Sequence, residues 1–398
     1  MIIDDLDTPA LLVEKERLER NIRRMQSTAE AGGVRLRPHV KTHKSPSIAR
    51  RQQEVGAEGL TVATPGEAEA FFKEGFDDLR LAYAVVGQRK HARLARLMNQ
   101  GADVSFCVDT EAGIVQAAQF YEGQSAPARA LLEIDVGHGR CGIPWDHPKR
   151  AEALARRVAE APALRLVGLL THAGQSYHGP REGETPDEAL QRVAREERER
   201  ILTVAEDLRD ADLAVPGDFE ISIGSTPSMT HFENDTRAGF SITEVRPGNY
   251  VFYDAMQVAL GAAQLEDCAL TALATVTSKR RSKGGTERLY LDAGKKVLTT
   301  DTGYGLDGYG TLLYNAAAMR PWPHARVERL SEEHAWVQVP GGAPFTTGDR
   351  VRVVPNHACV TASTQPALQL VEGEELVDTL PVVARGHAQR RSARGGEP

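Results

Sequence analysis

Lys41 lies between two histidines in the run Arg37-Pro38-His39-Val40-Lys41-Thr42-His43-Lys44, directly after the apolar segment Val34 to Leu36. A protonated amine in water is a poor nucleophile, but partial burial and neighbouring cations lower a lysine pKa and free the neutral form. Arg37, His39, His43 and Lys44 are all placed to supply such positive potential, which makes Lys41 a candidate Schiff-base former. The alternative is a basic strand-to-helix turn that binds a phosphate or nothing.

Five further motifs carry chemistry. Gly224-Ser225-Thr226-Pro227 and Arg246-Pro247-Gly248-Asn249-Tyr250 both offer backbone N–H and hydroxyl donors to an anion, with glycine permitting close approach. In Asp135-Val136-Gly137-His138-Gly139-Arg140-Cys141-Gly142 the glycines leave the Arg140 guanidinium free to meet a planar anionic or aromatic group, or else to pair with Asp135. His172 and Tyr177, in Thr171-His172-Ala173-Gly174-Gln175-Ser176-Tyr177, are polar aromatics suited to pack on a flat ring. In His357-Ala358-Cys359 an extended backbone would project imidazole and thiolate to one side, so that both bind one metal ion. A Cys/His pair favours zinc over magnesium, and two protein donors leave positions open for water or substrate.

Such residues need a scaffold that gathers them. From Thr8 to Gly261 short apolar, β-branched runs alternate with helix-like segments rich in Ala, Glu, Arg and Leu, the pattern of repeated βα units. Eight strands are expected at Ala10 to Val13, Val34 to Arg37, Gly59 to Ala63, Leu79 to Ala82, Val104 to Val108, Ala130 to Asp135, Leu166 to Thr171 and Glu220 to Ile223. Eight runs point to an α/β fold with an N-terminal (β/α)8 TIM-type barrel, whose strand ends would bring Lys41, Thr171-His172 and Gly224 to Thr226 to one face. Gly179 to Arg200 reads as a charged helical excursion, a lid or an insertion.

After Gly261 the runs Ala269 to Thr277, Arg288 to Leu291, Ala325 to Leu330, His334 to Val339, Arg350 to Pro355 and Glu375 to Val383 read as β-strands. The expected division is a barrel at 8–261, an all-β domain at 262–384 joined by residues 1–7, and a flexible tail at 385–398.

Composition limits the function classes. The 398 residues are 41% hydrophobic and 26% charged, with a formal net charge of -7, which argues for a small-molecule substrate and against nucleic acid or an anionic membrane as partner. No run spans a bilayer and the first residues lack a signal-peptide pattern, so a cytoplasmic location is expected. Cys107, Cys141, Cys268 and Cys359 are too few and too scattered for a disulfide framework; buried thiols are expected for all but Cys359.

Taken in order, Asp7-Thr8-Pro9-Ala10-Leu11, the Lys41 motif, the His172–Tyr177 motif, Gly224 to Pro227, Arg246-Pro247-Gly248-Asn249-Tyr250-Val251-Phe252 and Pro355-Asn356-His357-Ala358-Cys359 resemble the fold-type III pyridoxal-phosphate enzymes. These form the alanine racemase superfamily, and the likeness is to its D-serine dehydratase and D-threonine aldolase branch. The resemblance implies that Lys41 carries pyridoxal 5'-phosphate covalently, that Ser225, Thr226, Gly248 and Asn249 cradle its phosphate, and that Arg140 approaches its phenolic oxygen. It further implies His172 beside the ring, Arg246 toward the pyridine nitrogen, and His357 with Cys359 on a divalent metal, zinc ahead of manganese or magnesium. The racemase tyrosine base has only a loose counterpart in Thr302-Gly303-Tyr304-Gly305, so a lyase is expected rather than a racemase. The branch acts on D-3-hydroxy amino acids, and the dehydratase outcome, a 2-oxo acid and ammonia from D-serine or D-threonine, is favoured over retro-aldol cleavage to glycine and an aldehyde. A non-catalytic pyridoxal-phosphate carrier is the third possibility. The family precedent is a homodimer.

Overall fold

The computed structural model describes residues 1–281, 286–340 and 342–385; all but the first residue of the expected tail lies outside them. Eight parallel strands form the N-terminal barrel, in the spatial order Arg35–Leu36, Glu244–Val245, Glu220–Ile223, Leu164–Thr171, Ala128–Asp135, Asp103–Val108, Asp78–Ala84 and Leu60–Val62. A parallel bridge from His39 to Thr61 joins the two ends of that order. Near-continuous burial, as in Leu60–Val62 and along Asp103–Val108, is what a parallel strand covered on both faces requires.

Seven of the eight expected strand segments take places in this barrel. The Ala10–Val13 segment does not: the strand Ala10–Glu14 runs antiparallel to Leu270–Arg281 and parallel to Ala367–Glu372, inside the second sheet. The eighth barrel position belongs to Glu244–Val245, two residues too short to show a pattern. The Gly179 to Arg200 excursion is also reassigned, because Pro186–Asp210 is the long helix between the strands Leu164–Thr171 and Glu220–Ile223. Thr185 caps it, exchanging bonds with Glu188, and Val193, Ile201, Leu202 and Ala205 are buried along its inner face.

The second domain is a ten-stranded, largely antiparallel sheet with the strand order Arg320–Pro321, Thr311–Asn315, Arg350–Val354, Leu270–Arg281, Ala10–Glu14, Ala367–Glu372 and Glu375–Pro381. Glu287–Leu291, Ala335–Val339 and Arg326–Leu330 extend it from Leu270–Arg281. Among the described residues no helix is long and apolar enough to cross a membrane.

The barrel interior is not wholly apolar. Glu244, fully buried, accepts from Arg37 at 2.5 Å, from Arg80 at 2.7 Å and from Ser222, and Ser222 in turn accepts from Arg246 at 2.5 Å. A buried carboxylate facing several guanidiniums stays ionised, and Arg80 and Arg37 hold Glu244 far below the usual carboxylate range despite its burial.

Candidate active site

The turn that carries Lys41 is bonded on both sides. Val40 N donates to Thr61 O at 2.9 Å, Thr61 N to Pro38 O at 2.9 Å, and His39 N to Pro247 O at 3.0 Å. Lys41 lines a cavity of about 530 Å³ at the carboxyl ends of the barrel strands. Burial lowers its pKa; Arg140 and Arg246 act in the same direction, against Cys359 and Glu67.

The cations that act on Lys41 are therefore not the expected neighbours in sequence. Arg37 points away, paired with Glu244 and, at 2.5 Å, with Asp78. Lys44 pairs with Glu67 at 3.2 Å. His43 is buried, accepts from Ser45 N at 3.0 Å and is pushed down to about 3, so it carries no charge at neutral pH. His39 does reach the cavity, but burial and then Lys41 hold it neutral as well.

All the other expected site residues line this cavity: Arg140, His172, Tyr177, Ser225, Thr226, Arg246, Gly248, Asn249, His357 and Cys359. Gly224 has φ +126, a region that favours glycine, and a Cβ there would lie 2.9 Å from Arg246 N. At Gly248 a Cβ would lie 2.8 Å from both His39 O and Thr42 Oγ1, so glycine lets this loop press on the Lys41 turn. Ser225 Oγ meets Ser176 Oγ at 2.9 Å and Ser228 Oγ at 3.0 Å, and Thr226 Oγ1 accepts from Tyr250 N at 3.1 Å. Arg246 is buried and donates to Thr171 O at 2.5 Å, yet its Nε has no partner among the described residues. Its pKa is pushed down to about 10 by burial.

Arg140 is half-exposed at the rim, with Glu133 3.9 Å away. It does not pair with Asp135, whose carboxylate instead accepts the backbone N–H groups of Gly137, His138 and Gly139. Cys141 is exposed rather than buried and donates to Glu133 at 3.0 Å; Cys107 and Cys268 are buried thiols. His172 lies 3.4 Å from Gly224 O, its ring tilted against Tyr177 with centroids 6.5 Å apart.

The second domain closes the cavity of its own chain, through Thr302, Gly303, His357 and Cys359. His357 and Cys359 do not share a face by strand alternation. His357 is the extended residue before the short helix Ala358–Ala362, and Cys359 is the second residue of that helix. His357 Nδ1 meets Asp301 Oδ2 at 2.6 Å, which leaves Nε2 and the Cys359 sulfur as donors. Among the described residues no three His, Cys, Asp or Glu side chains gather as a metal-ligand set, so an ion held here would complete its shell with water or substrate. Tyr304 does not line the cavity; its ring packs on Gly179.

Several carboxylates behind the site escaped sequence reasoning. Glu197, on the helix Pro186–Asp210, accepts from Ala173 N at 3.2 Å, Gly224 N at 2.9 Å and Ser228 Oγ at 2.8 Å, tying the His172 loop to the Gly224 loop. Asp254 accepts from Asn249 Nδ2 at 2.6 Å and Ala358 N at 2.8 Å. Asp301 orients His357. The local signal is an isolated acidic residue, in or beside a loop for Asp254 and Asp301 and within a charged helix for Glu197, which sequence alone reads as a turn or a solvated face.

The family model for the N-terminal domain of alanine racemase matches residues 13–255, and the serine dehydratase domain model matches residues 269–371. A D-threo-3-hydroxyaspartate dehydratase from Delftia sp. (strain HT23) is 37% identical over 94% of this chain and 96% of its own. Its structure superposes with a TM-score of 0.86 over 96% of this chain and 99% of that one. A D-threonine aldolase from Arthrobacter sp. is 32% identical over 96% of this chain and 94% of its own. A cysteine-to-alanine variant of D-threo-3-hydroxyaspartate dehydratase in a metal-free form also superposes with a TM-score of 0.86, at 36% identity over 96% of this chain and 99% of that one. With the barrel, the Lys41 turn and the second domain in place, the chain belongs to the alanine racemase-like, fold-type III pyridoxal-phosphate family and is a lyase of its dehydratase and aldolase branch.

Proposed function

We propose that the protein is a pyridoxal-phosphate- and metal-dependent dehydratase that converts a D-3-hydroxy amino acid of the D-serine and D-threonine class into a 2-oxo acid and ammonia. The observation that carries the reading is that Lys41, His357 and Cys359 line one cavity.

The residues present fit the cofactor. Lys41 has a desolvated amine, Arg246 presents a buried, unpartnered Nε, and glycines stand at two positions where a Cβ would collide. Lys41 would hold the cofactor, Ser225, Thr226, Gly248 and Asn249 its phosphate, Arg246 its ring nitrogen and Arg140 its phenolic oxygen, with His172 and Tyr177 beside the ring. Bound pyridoxal phosphate supplies an electron sink for the pair left at Cα. Lys41 would take the α-proton, because burial favours its neutral amine, the form that can accept one. His357 and Cys359 would hold a divalent cation, zinc by the softness of the thiolate, which would supply Lewis acidity at the β-hydroxyl. Asp301 fixes the His357 ring through Nδ1, the second contact that orients a ligating imidazole.

Net loss of water from Cα and Cβ, followed by hydrolysis of the released product, would give the 2-oxo acid and ammonia. A thiol rather than a carboxylate as second metal donor, and the 37% identity to a dehydratase, favour this over retro-aldol cleavage. The 32% identity to a D-threonine aldolase keeps glycine and an aldehyde as the second outcome to assay. The contribution of the second domain to the cavity weighs against a pure carrier. Family precedent points to a homodimer.

The test is to incubate the purified holoenzyme with D-serine, D-threonine, D-threo-3-hydroxyaspartate and their L forms, with and without EDTA. A 2-oxo acid from a D form, lost with the chelator, supports the dehydratase; glycine plus aldehyde overturns it in favour of the aldolase. No product from any substrate overturns both. Retention of the cofactor's visible absorbance band in Lys41→Ala refutes the role of Lys41.

A further inference from the structure

Asp254 stands where the two halves of the site meet. It is fully buried, and each of its oxygens is committed. Oδ1 accepts from Gln257 N at 3.0 Å and so caps the helix Ala255–Ala259. Oδ2 accepts two bonds at once, from Asn249 Nδ2 at 2.6 Å and from Ala358 N at 2.8 Å. The first donor belongs to the Gly248-Asn249 loop of the barrel, the second to the residue between His357 and Cys359. The same Asn249 Nδ2 lies 3.5 Å from Cys359 Sγ.

The segments around Asp254 are joined by backbone as well. Ala255 N donates to Pro355 O at 3.1 Å and Met256 N to Asn356 O at 3.2 Å. Asn356 Nδ2 donates to Asp301 O at 2.9 Å, which ties in the partner of His357. One carboxylate oxygen thus sets the position of a loop from the barrel and a turn from the second domain.

We infer that Asp254 is a positioning residue that couples the two binding events, so that occupancy of the His357/Cys359 turn by a divalent cation tightens pyridoxal phosphate at the Gly248-Asn249 loop, and the reverse. This rests on the proposed reading that the loop holds the phosphate and the turn holds the metal. The physical basis is shared ordering: the first ligand fixes Oδ2 against both donors, and the second ligand then orders fewer groups. Coupling of this kind is reciprocal, so each ligand must change the other's affinity by the same factor. A residue that only supports the scaffold would weaken both affinities and leave that factor unchanged.

The test uses the full chain freed of both ligands. Pyridoxal phosphate is titrated by its visible absorbance with and without saturating Zn²⁺, and Zn²⁺ is titrated against a chromophoric chelator with and without pyridoxal phosphate. The wild-type protein is expected to show one common factor of at least about fivefold, at the low end of measured site couplings. Asp254→Ala is expected to bring the factor to about one while both ligands still bind. Asp254→Leu keeps the branched shape and serves if the alanine variant does not fold; it offers no acceptor to Asn249 Nδ2 or Ala358 N, and the factor is expected to fall. A wild-type protein that binds both ligands with a factor of one overturns the inference and leaves the proposed function standing, as does a factor unchanged in the variants. A wild-type protein that binds no pyridoxal phosphate, or no Zn²⁺, overturns both.

Discussion

Thr42 Oγ1 lies 3.2 Å from Cys359 Sγ, so the residue directly after Lys41 touches the turn that carries the candidate metal donors. Lys41 and Cys359 come from different domains, and this contact fixes one against the other. A hydroxyl facing a sulfur of this kind stabilises the thiolate and orients it. Thr42→Val keeps the shape and removes the bond, which is worth on the order of 1 kcal/mol. Zn²⁺ affinity is expected to fall by about fivefold to tenfold, with pyridoxal phosphate absorbance retained. A chelator-competition titration that finds equal zinc affinities in the two proteins would rule this out.

Gly248→Ala tests the close approach of the cofactor loop to the same turn. The added methyl meets His39 O and Thr42 Oγ1, both at 2.8 Å, and neither neighbour is the loose end of a flexible side chain. One of the two segments must shift, which is expected to weaken pyridoxal phosphate by tenfold or more at a cost of about 1–3 kcal/mol in overpacking. Absorbance titration reads the change directly. Unaltered affinity would mean that the loop is free to move and does not hold the phosphate.

Much of this site was legible in the sequence, because the motifs sit at strand ends and a barrel gathers strand ends without further instruction. What the sequence hid was set by contacts between distant segments. The Ala10–Val13 run has a strand's composition, but nothing in it names its partners, which are Leu270–Arg281 and Ala367–Glu372. Glu244–Val245 is too short for a period, and a buried glutamate reads as a surface residue until Arg37 and Arg80 are seen around it. The positive potential at Lys41 was expected from Arg37, His39, His43 and Lys44; it comes from Arg140 and Arg246, about one hundred and two hundred residues away. Asp254, Asp301 and Glu197 are isolated acids in the sequence, and only the fold gives them donors to accept from.

Glu244→Gln bears on that interior charge network. The carboxylate stands against Arg37 and Arg80 and, through Ser222, against Arg246, so its removal leaves the buried Arg37 and Arg80 with one carboxylate each, Asp78 and Glu220, among the described residues. Breaking such a network from one side costs about 3–5 kcal/mol, and the loss is expected in urea unfolding at neutral pH. The folded state depresses the Glu244 pKa, so its contribution is present above the ordinary carboxylate pKa and is lost as pH falls toward the folded value. The difference between wild type and variant should therefore shrink as the pH is lowered below about 4. A constant difference across that range would show that Glu244 does not act through its charge.

His91 gives the opposite case, a buried imidazole with no counter-charge. It is fully buried among Phe106, Phe120 and Tyr121, with ring centroids at 5.4, 5.7 and 5.4 Å, and both ring nitrogens lack hydrogen-bond partners among the described residues. Burial pushes its pKa down to about 4. The folded state therefore holds it neutral, while the unfolded chain takes up a proton near pH 6.5. Its neutral form favours folding fully above pH 6.5, and that advantage is lost progressively as pH falls from 6.5 to about 4. The lost stability is on the order of 3 kcal/mol. His91→Phe fills the aromatic cage without the polar atoms, so it is expected to be as stable as wild type or more so at pH 7 and to lose less between pH 6.5 and 4. Thermal unfolding of both proteins across that range provides the check: parallel pH profiles would show that His91 is protonated, or solvated, in the folded protein.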